Sequence, residues 1–115
     1  MATAKSELFE INKLGATPVH NSGRGSVKGD GILYTDPEDK ESGFFTVDVK
    51  EYPKSYGVSL TTWRKIQTDA HKNRTEPMIK IVLGSEEENN RVRAIVIPEH
   101  VFQDMWKVYK EHMNE

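Results

Sequence analysis

Cysteine is absent from this chain of 115 residues. Disulfide bridges, zinc–thiolate centres and thiol nucleophiles are therefore excluded. The four histidines form no H-x-x-x-H pair, which argues against a zinc-protease type of site. The chain also lacks any apolar run of about 18 residues, and its first ten residues contain no apolar signal region. We therefore expect an intracellular protein with no membrane contact.

An excess of positive charge is also lacking. The formal net charge is -2, whereas simple nucleic-acid coat proteins are strongly basic. The basic residues are nevertheless concentrated between residues 24 and 74, and much of the acid lies in two short polar segments, 36–41 and 86–88. This distribution is compatible with a metal-dependent enzyme acting on nucleic acid, because a bound Mg²⁺ ion reverses the local charge of the carboxylates that hold it.

The length fits one domain, residues 1–115. Apolar periodicity and turn residues predict helices over 5–14 and 59–72 and a third helix beginning at Pro98, with strands over 29–34, 43–50, 78–84 and 91–97. The first helix has Leu8 and Ile11 at helical spacing and is expected to stop at Gly15. The second is expected to be capped by Ser59, and one face of it carries Leu60, Trp63, Ile66, Gln67 and Ala70. In the strand over 43–50, alternation places Phe45, Val47 and Val49 on one side. The first two predicted strands are expected to form a hairpin. The predicted fold is therefore a mixed α/β layout of helix, two or three strands, helix, two strands and helix, in which one helix crosses over between strands.

The pattern that carries chemistry is Gly29-Asp30, separated by seventeen residues from Asp48-Val49-Lys50. Side chains two apart on a strand share a face, so Asp48 and Lys50 project together, and the hairpin would bring Asp30 to the same side. Carboxylate oxygens are ligands that Mg²⁺ prefers, and the Val49 carbonyl is a further candidate ligand. A lysine beside such a metal can orient or deprotonate the attacking water, or stabilise developing negative charge.

These residues resemble the motif of the PD-(D/E)-X-K nuclease superfamily, and residues 5–84 are similar to phage-encoded Holliday-junction-resolvase-like proteins. The resemblance implies a restriction-endonuclease-like αβββαβ core with a mixed central sheet flanked by helices, here followed by an extra C-terminal strand and helix. It implies that Asp30 and Asp48 bind Mg²⁺, for which Mn²⁺ would substitute, and that Lys50 is the motif lysine. It also implies a ligand from the first helix, for which we expect Glu7, with Glu10 as the alternative. Gly29 replaces the proline of the motif, and Asp48 is an aspartate where many members have glutamate.

The function expected from this resemblance is structure-selective cleavage of DNA, with branched junctions as the substrate. Cutting a junction requires two symmetrically placed sites, so we expect a homodimer. The apolar C-terminal helix, with Met105, Trp106 and Tyr109, either provides the dimer contact or packs on the sheet. Two alternatives remain open, namely a nuclease acting on ends, flaps or single strands, and a DNA-binding module without catalysis. The residues expected to contact DNA are Arg24, Lys28, Lys54, Arg64, Lys65 and Gln67. The resemblance also implies a glutamine or other polar residue near the carboxylates, on the helix after the lysine, and Gln67 matches it.

Overall fold

A computed structural model describes residues 3–19, 27–85 and 91–115 of the chain. Its elements are α1 (Ala4–Leu14), β1 (Thr17–Pro18), β2 (Gly31–Tyr34), β3 (Gly43–Tyr52), α2 (Leu60–Lys72), β4 (Glu76–Leu83), β5 (Val92–Val96) and α3 (Glu99–Met113). The predicted order of elements is confirmed, and the short strand β1 is the optional third strand before α2. The described helices include none that is long and apolar enough to cross a membrane.

The five strands form one mixed sheet in the order β1-β2-β3-β4-β5. The pairs β1/β2, β2/β3 and β4/β5 are antiparallel, whereas β3 and β4 are parallel. Because parallel neighbours cannot be joined by a tight turn, α2 crosses the sheet between them. The predicted hairpin of β2 and β3 is confirmed, with Ile32 opposite Thr46.

Strand β3 lies in the middle of the sheet and separates two packed layers. Its alternate residues Phe45, Val47 and Val49 are buried against α1 and the beginning of α3, as the alternation in the sequence predicted. On α2, Ile66 and Ala70 are buried against the sheet. The opposite set of β3 side chains, which includes Asp48 and Lys50, therefore does not point into the α1 layer.

The ends of α1 are set by local hydrogen bonds. Thr3 and Ser6 form a capping box in which the Ser6 N–H donates to Thr3 Oγ1 at 3.1 Å and the Thr3 N–H donates to Ser6 Oγ at 2.7 Å. Gly15 ends the helix at a left-handed φ of 89°, a conformation that glycine adopts most easily. These hydrogen bonds fix where α1 begins and ends.

The helix faces predicted from periodicity needed correction. On α1, Ile11 is buried, but Leu8 is 42% exposed and the charged Glu10 is fully buried in its place. On α2, the predicted apolar face included Leu60 and Gln67, both of which are exposed. The physical reason is that a helix buries only the part of its apolar face that another element covers. The apolar face read from the sequence can be wider than the covered part.

Candidate functional site

Asp30 lies at the point where β2 begins, and its backbone and side chain are both held by β3. Its N–H donates to the Val47 carbonyl at 2.9 Å. One of its carboxylate oxygens, Oδ2, accepts a hydrogen bond from the Val49 N–H at 2.8 Å. The carboxylate therefore accepts the hydrogen bond that a backbone carbonyl of a longer β2 would accept from β3. This contact places the Asp30 side chain beside residues 48–50.

Glycine before Asp30 is required by the backbone. Gly29 has a φ of 88°, and a Cβ atom at this position would overlap the Thr46 side chain. Proline has φ fixed near -65°, so it cannot adopt this conformation. The glycine that departs from the superfamily motif is therefore explained by how the chain enters β2.

Asp48 and Lys50 lie on the same face of β3, as the alternation predicted. Lys50 Nζ lies 3.1 Å from Asp48 Oδ2, and both side chains are about a quarter exposed, at 28% and 24%. Partial burial lowers the pKa of the Lys50 ammonium, but the charge of Asp48 and a hydrogen bond to it more than compensate and raise the pKa above its usual value. Lys50 is therefore a protonated ammonium that water can reach.

The carboxylates of Asp30, Asp48 and Glu7 interact electrostatically. Burial raises the pKa of Asp30 to about 7; the Val49 hydrogen bond opposes this shift, whereas the negative charges of Asp48 and Glu7 add to it. Burial also raises the pKa of Glu7, and the charges of Asp48 and Glu51 raise it further, while Lys50 lowers it. Negative charge is therefore crowded at this point of the sheet, and one ammonium group does not neutralise it.

The donor set is compatible with Mg²⁺, although it is not arranged as a ready-made cage. Within residues 3–19, 27–85 and 91–115, no group of three or more His, Cys, Asp or Glu side chains is placed so that it could hold a metal ion. The groups that meet here are nevertheless oxygen donors, which Mg²⁺ prefers, and Mg²⁺ needs only one or two protein carboxylates when water and phosphate complete its coordination. A divalent cation at this position would offset the repulsion among the carboxylates of Asp30, Asp48 and Glu7.

The backbone of Val49 is turned towards Asp30. Its N–H points towards Asp30. The N–H and the C=O of one strand residue point to the same edge of the strand. The Val49 carbonyl therefore faces the edge from which Asp30 approaches, and β2 does not pair with β3 beyond Gly31 and Val47.

Glu10, the alternative helix ligand, is committed to another interaction. Its carboxylate lies 2.8 Å from Lys80 Nζ and accepts two hydrogen bonds from the Arg93 guanidinium at 2.9 Å each. It is fully buried, so it cannot also contact a solvated ion. The negative charge of Glu7, in contrast, acts on Asp30.

Sequence reasoning missed a second buried ion pair close to the site. Glu51 follows Lys50 on β3, is 3% exposed, and accepts a hydrogen bond from Arg91 at 2.8 Å. Its negative charge acts on Glu7, so it belongs to the electrostatic surroundings of the site. Glu51 continues the alternation of the buried Val47 and Val49 along β3. This position in the sequence could have revealed the ion pair, because a charge at a core position needs a partner.

The predicted DNA-contact residues are placed unevenly. Arg24 lies outside the described residues. Lys28 is two residues before Asp30, whereas Lys54 is exposed in the segment that follows β3, and Arg64 and Lys65 are exposed on α2.

Gln67 was expected near the carboxylates. It lies instead on the exposed side of α2, in a shallow cavity with Arg64, His71 and Glu76. The helix face that covers the sheet is formed by Ile66 and Ala70, so the neighbouring Gln67 is turned away.

Comparison of the chain with protein-family models, with curated proteins and with solved structures found no match.

Proposed function

We propose that the protein is a Mg²⁺-dependent deoxyribonuclease of the PD-(D/E)-X-K kind, and that Asp30, Asp48 and Lys50 form its catalytic centre. The observation that carries this proposal is the convergence of the three groups on β3: Asp30 is bonded to the Val49 N–H, and Asp48 is paired with Lys50. Two acids and an amine at one solvent-accessible place are the groups that metal-assisted phosphodiester hydrolysis uses.

The arrangement of the sheet supports the same proposal. The first six elements, from α1 to β4 with β1 counted as a strand, follow the order αβββαβ, and the crossover helix joins the two parallel strands. The strand that carries Asp48 and Lys50 lies in the centre of the sheet. We propose that this core is restriction-endonuclease-like and that β5 and α3 are additions to it.

Each side chain has a distinct role in the proposed reaction. When bound, Mg²⁺ lowers the pKa of a coordinated water and stabilises negative charge at phosphorus. Asp30 and Asp48 would hold the ion, with the Val49 carbonyl and Glu7 as further ligands. Lys50, which is protonated, would orient the attacking water or stabilise the phosphorane-like charge by donating hydrogen bonds, rather than accept a proton itself.

Branched DNA is the proposed substrate, acted on inside the cell by a homodimer. The face of α3 supports the dimer: only Val101 of this helix is buried, whereas its large apolar side chains are between 47% and 67% exposed. Those side chains are Phe102, Met105, Trp106, Val108, Tyr109 and Met113. They present on the order of 600 Å² of apolar surface, close to the roughly 800 Å² that one partner buries in a standard interface.

The surface beside this helix favours a second copy of the chain as the occupant. A groove of about 300 Å³ lies next to α3, lined by Leu33, Phe44, Phe45 and Met105. Protruding aromatic side chains and an apolar groove on one surface are self-complementary, which is the requirement for a two-fold symmetric contact. The alternative prediction, that α3 packs on its own sheet, holds only for Val101.

The catalytic proposal is tested by Asp48→Asn and Lys50→Ala, with Asp39→Asn and Lys13→Ala as matched exposed controls. Labelled four-way junctions, flaps, single strands and linear duplex are incubated with the purified protein and Mg²⁺ or Mn²⁺. We expect wild type and controls to cut the junction with paired symmetric nicks, and each site variant to lose at least about 100-fold in rate while still binding DNA. Undiminished cleavage by Asp48→Asn would overturn the assignment.

The same panel separates the competing functions. Cutting of flaps, ends or single strands in preference to junctions would indicate the alternative nuclease activity. Metal-independent DNA binding without any cleavage by wild type would instead favour the non-catalytic binding module.

A further inference from the structure

A basic cavity lies away from the carboxylates, between the C-terminal end of α2 and the turn that joins β2 to β3. Its volume is about 570 Å³, and its lining includes Tyr34, Lys40, Lys72, Asn73 and Arg74. We propose that this cavity binds neighbouring phosphate groups of the DNA backbone, a short distance along the strand from the bond that is cut. This inference rests on the proposed function and assigns it a second DNA contact.

The cavity carries an excess of positive charge. Three cationic side chains line it, from Lys40, Lys72 and Arg74, against one acid, Glu41. Among the residues that the structure describes, none of the three cations lies within ion-pair distance of an acid. Uncompensated positive charge in a concave surface attracts polyanions and is the usual form of a DNA-backbone contact.

Arg74 occupies a position that local structure would assign to glycine. The Arg74 N–H donates to the His71 carbonyl at 3.0 Å and the Thr75 N–H donates to the Ala70 carbonyl at 2.9 Å, which together form the Schellman motif that ends α2. Arg74 therefore adopts a φ of 58°, the one positive φ of a non-glycine residue in the described parts of the chain. The chain thus places an arginine, at a cost in backbone strain, at the wall of the cavity, where its charge is available to an anion.

The cavity is connected to the catalytic face by Asn73. The Asn73 side-chain amide donates to the Lys28 carbonyl at 2.8 Å and to Thr46 Oγ1 at 2.9 Å, and its Oδ1 accepts the Lys28 N–H at 3.1 Å. Lys28 leads directly to Asp30, and Thr46 precedes Asp48 by two residues on the same face of β3. Gly43, at the cavity, is five residues from Asp48, or about 17 Å along the strand, which corresponds to about five base steps of duplex DNA.

The test uses Arg74→Gly, which removes the cation and relieves the backbone strain at once. DNA binding is measured by fluorescence anisotropy on a labelled junction over a range of salt concentrations, in an Asp48→Asn background so that no cleavage occurs. We expect the slope of log affinity against log salt concentration to fall by about 0.9 in Arg74→Gly, and by about 1.8 in Lys40→Gln/Lys72→Gln, because each lost phosphate contact releases fewer counterions. Thermal unfolding of Arg74→Gly is expected to occur about 2–4 °C higher.

A matched control and the cleavage assay distinguish failure of the cavity proposal from failure of the nuclease proposal. Lys13→Gln, at an exposed position of α1, is expected to leave the salt slope unchanged. The cavity proposal is overturned if Arg74→Gly and Lys40→Gln/Lys72→Gln bind with the same affinity and slope as the background protein, or if that protein binds no DNA at all. If wild type cleaves DNA but the variants show unchanged salt slopes, the cavity proposal is rejected and the nuclease proposal stands. If the variants show reduced salt slopes but wild type does not cleave DNA with Mg²⁺, only the nuclease proposal is rejected.

Discussion

Asp30 shows, at the scale of a single residue, a conflict between folding and the proposed chemistry. Its carboxylate is partly buried and lies in the electrostatic field of Asp48 and Glu7, and these effects raise its pKa to about 7, although the Val49 N–H stabilises its charged form. A protein that used this residue only for structure would gain from a neutral side chain here. Groups that reduce stability in this way are typical of functional sites.

We therefore predict that Asp30→Asn stabilises the metal-free protein at pH 8. The amide oxygen can still accept the Val49 N–H, while the repulsion from Asp48 and Glu7 disappears, so the free energy of unfolding should increase by roughly 1 kcal/mol. Thermal unfolding in the presence of a chelator measures this change. Added Mg²⁺ should then stabilise wild type but not Asp30→Asn. A variant that melts below wild type without metal would show that the charged carboxylate is itself stabilising.

At the scale of elements, α1 has two roles that lie one turn apart. Glu7 faces the charges near the end of β3, whereas Glu10 enters a buried network with Lys80 of β4 and Arg93 of β5. The second role holds the helix on the sheet and so determines where the first residue lies. Burial raises the pKa of Glu10, but hydrogen bonds from Arg93 and Lys80 outweigh it and lower the pKa to about 2.

The sign of this shift predicts a specific dependence on pH. A depressed carboxyl pKa contributes stability above the unfolded value of 4.5, and this contribution is lost as pH falls towards 2. Glu10→Gln should lose about 3 kcal/mol of stability at pH 7, because Lys80 stays buried without its anionic partner. Denaturant unfolding at several pH values measures the difference, which should shrink between pH 4.5 and 2. Glu41→Gln, at an exposed position, serves as the control; a constant difference over that range would contradict the argument.

At the scale of the whole molecule, α3 and β5 extend beyond the packed body. The residues of β5 are largely exposed, with Val92 at 61% and Ile95 at 42%, and α3 buries Val101 alone. The radius of gyration, 14.9 Å, exceeds the value of about 13 Å expected for a compact chain of this length. An apolar helix in this position is the part of the molecule that association would cover.

We predict that wild type is a dimer and that Phe102→Ser/Trp106→Ser is a monomer. Both side chains lie on the exposed face of α3, so their loss should weaken association without removing the buried contact of Val101. Sedimentation equilibrium over a range of concentrations should show twice the chain mass of 13.1 kDa for wild type and the single mass for the variant. Phe9→Ser, which alters an equally exposed aromatic residue on α1, should remain dimeric. A wild type that is monomeric at every concentration would exclude this interface.

The local pattern of the chain was sufficient to predict the elements and much of the candidate site. Alternation in residues 43–50 identified the buried face of β3, and with it the shared face of Asp48 and Lys50, because strand geometry depends only on the two-residue repeat. The cap at Ser59 and the stop at Gly15 followed from backbone chemistry that is equally local.

Contacts between distant segments were decided by the tertiary structure alone. Periodicity shows that one side of a helix is apolar, but it does not show what covers that side, so α3 could be predicted as a helix and not as an exposed one. The burial of Glu10 depended on Lys80 and Arg93, which are 70 and 83 residues away. A charge can be buried only where its partners are brought to it, and the pairing of strands, rather than the neighbouring sequence, brings them there.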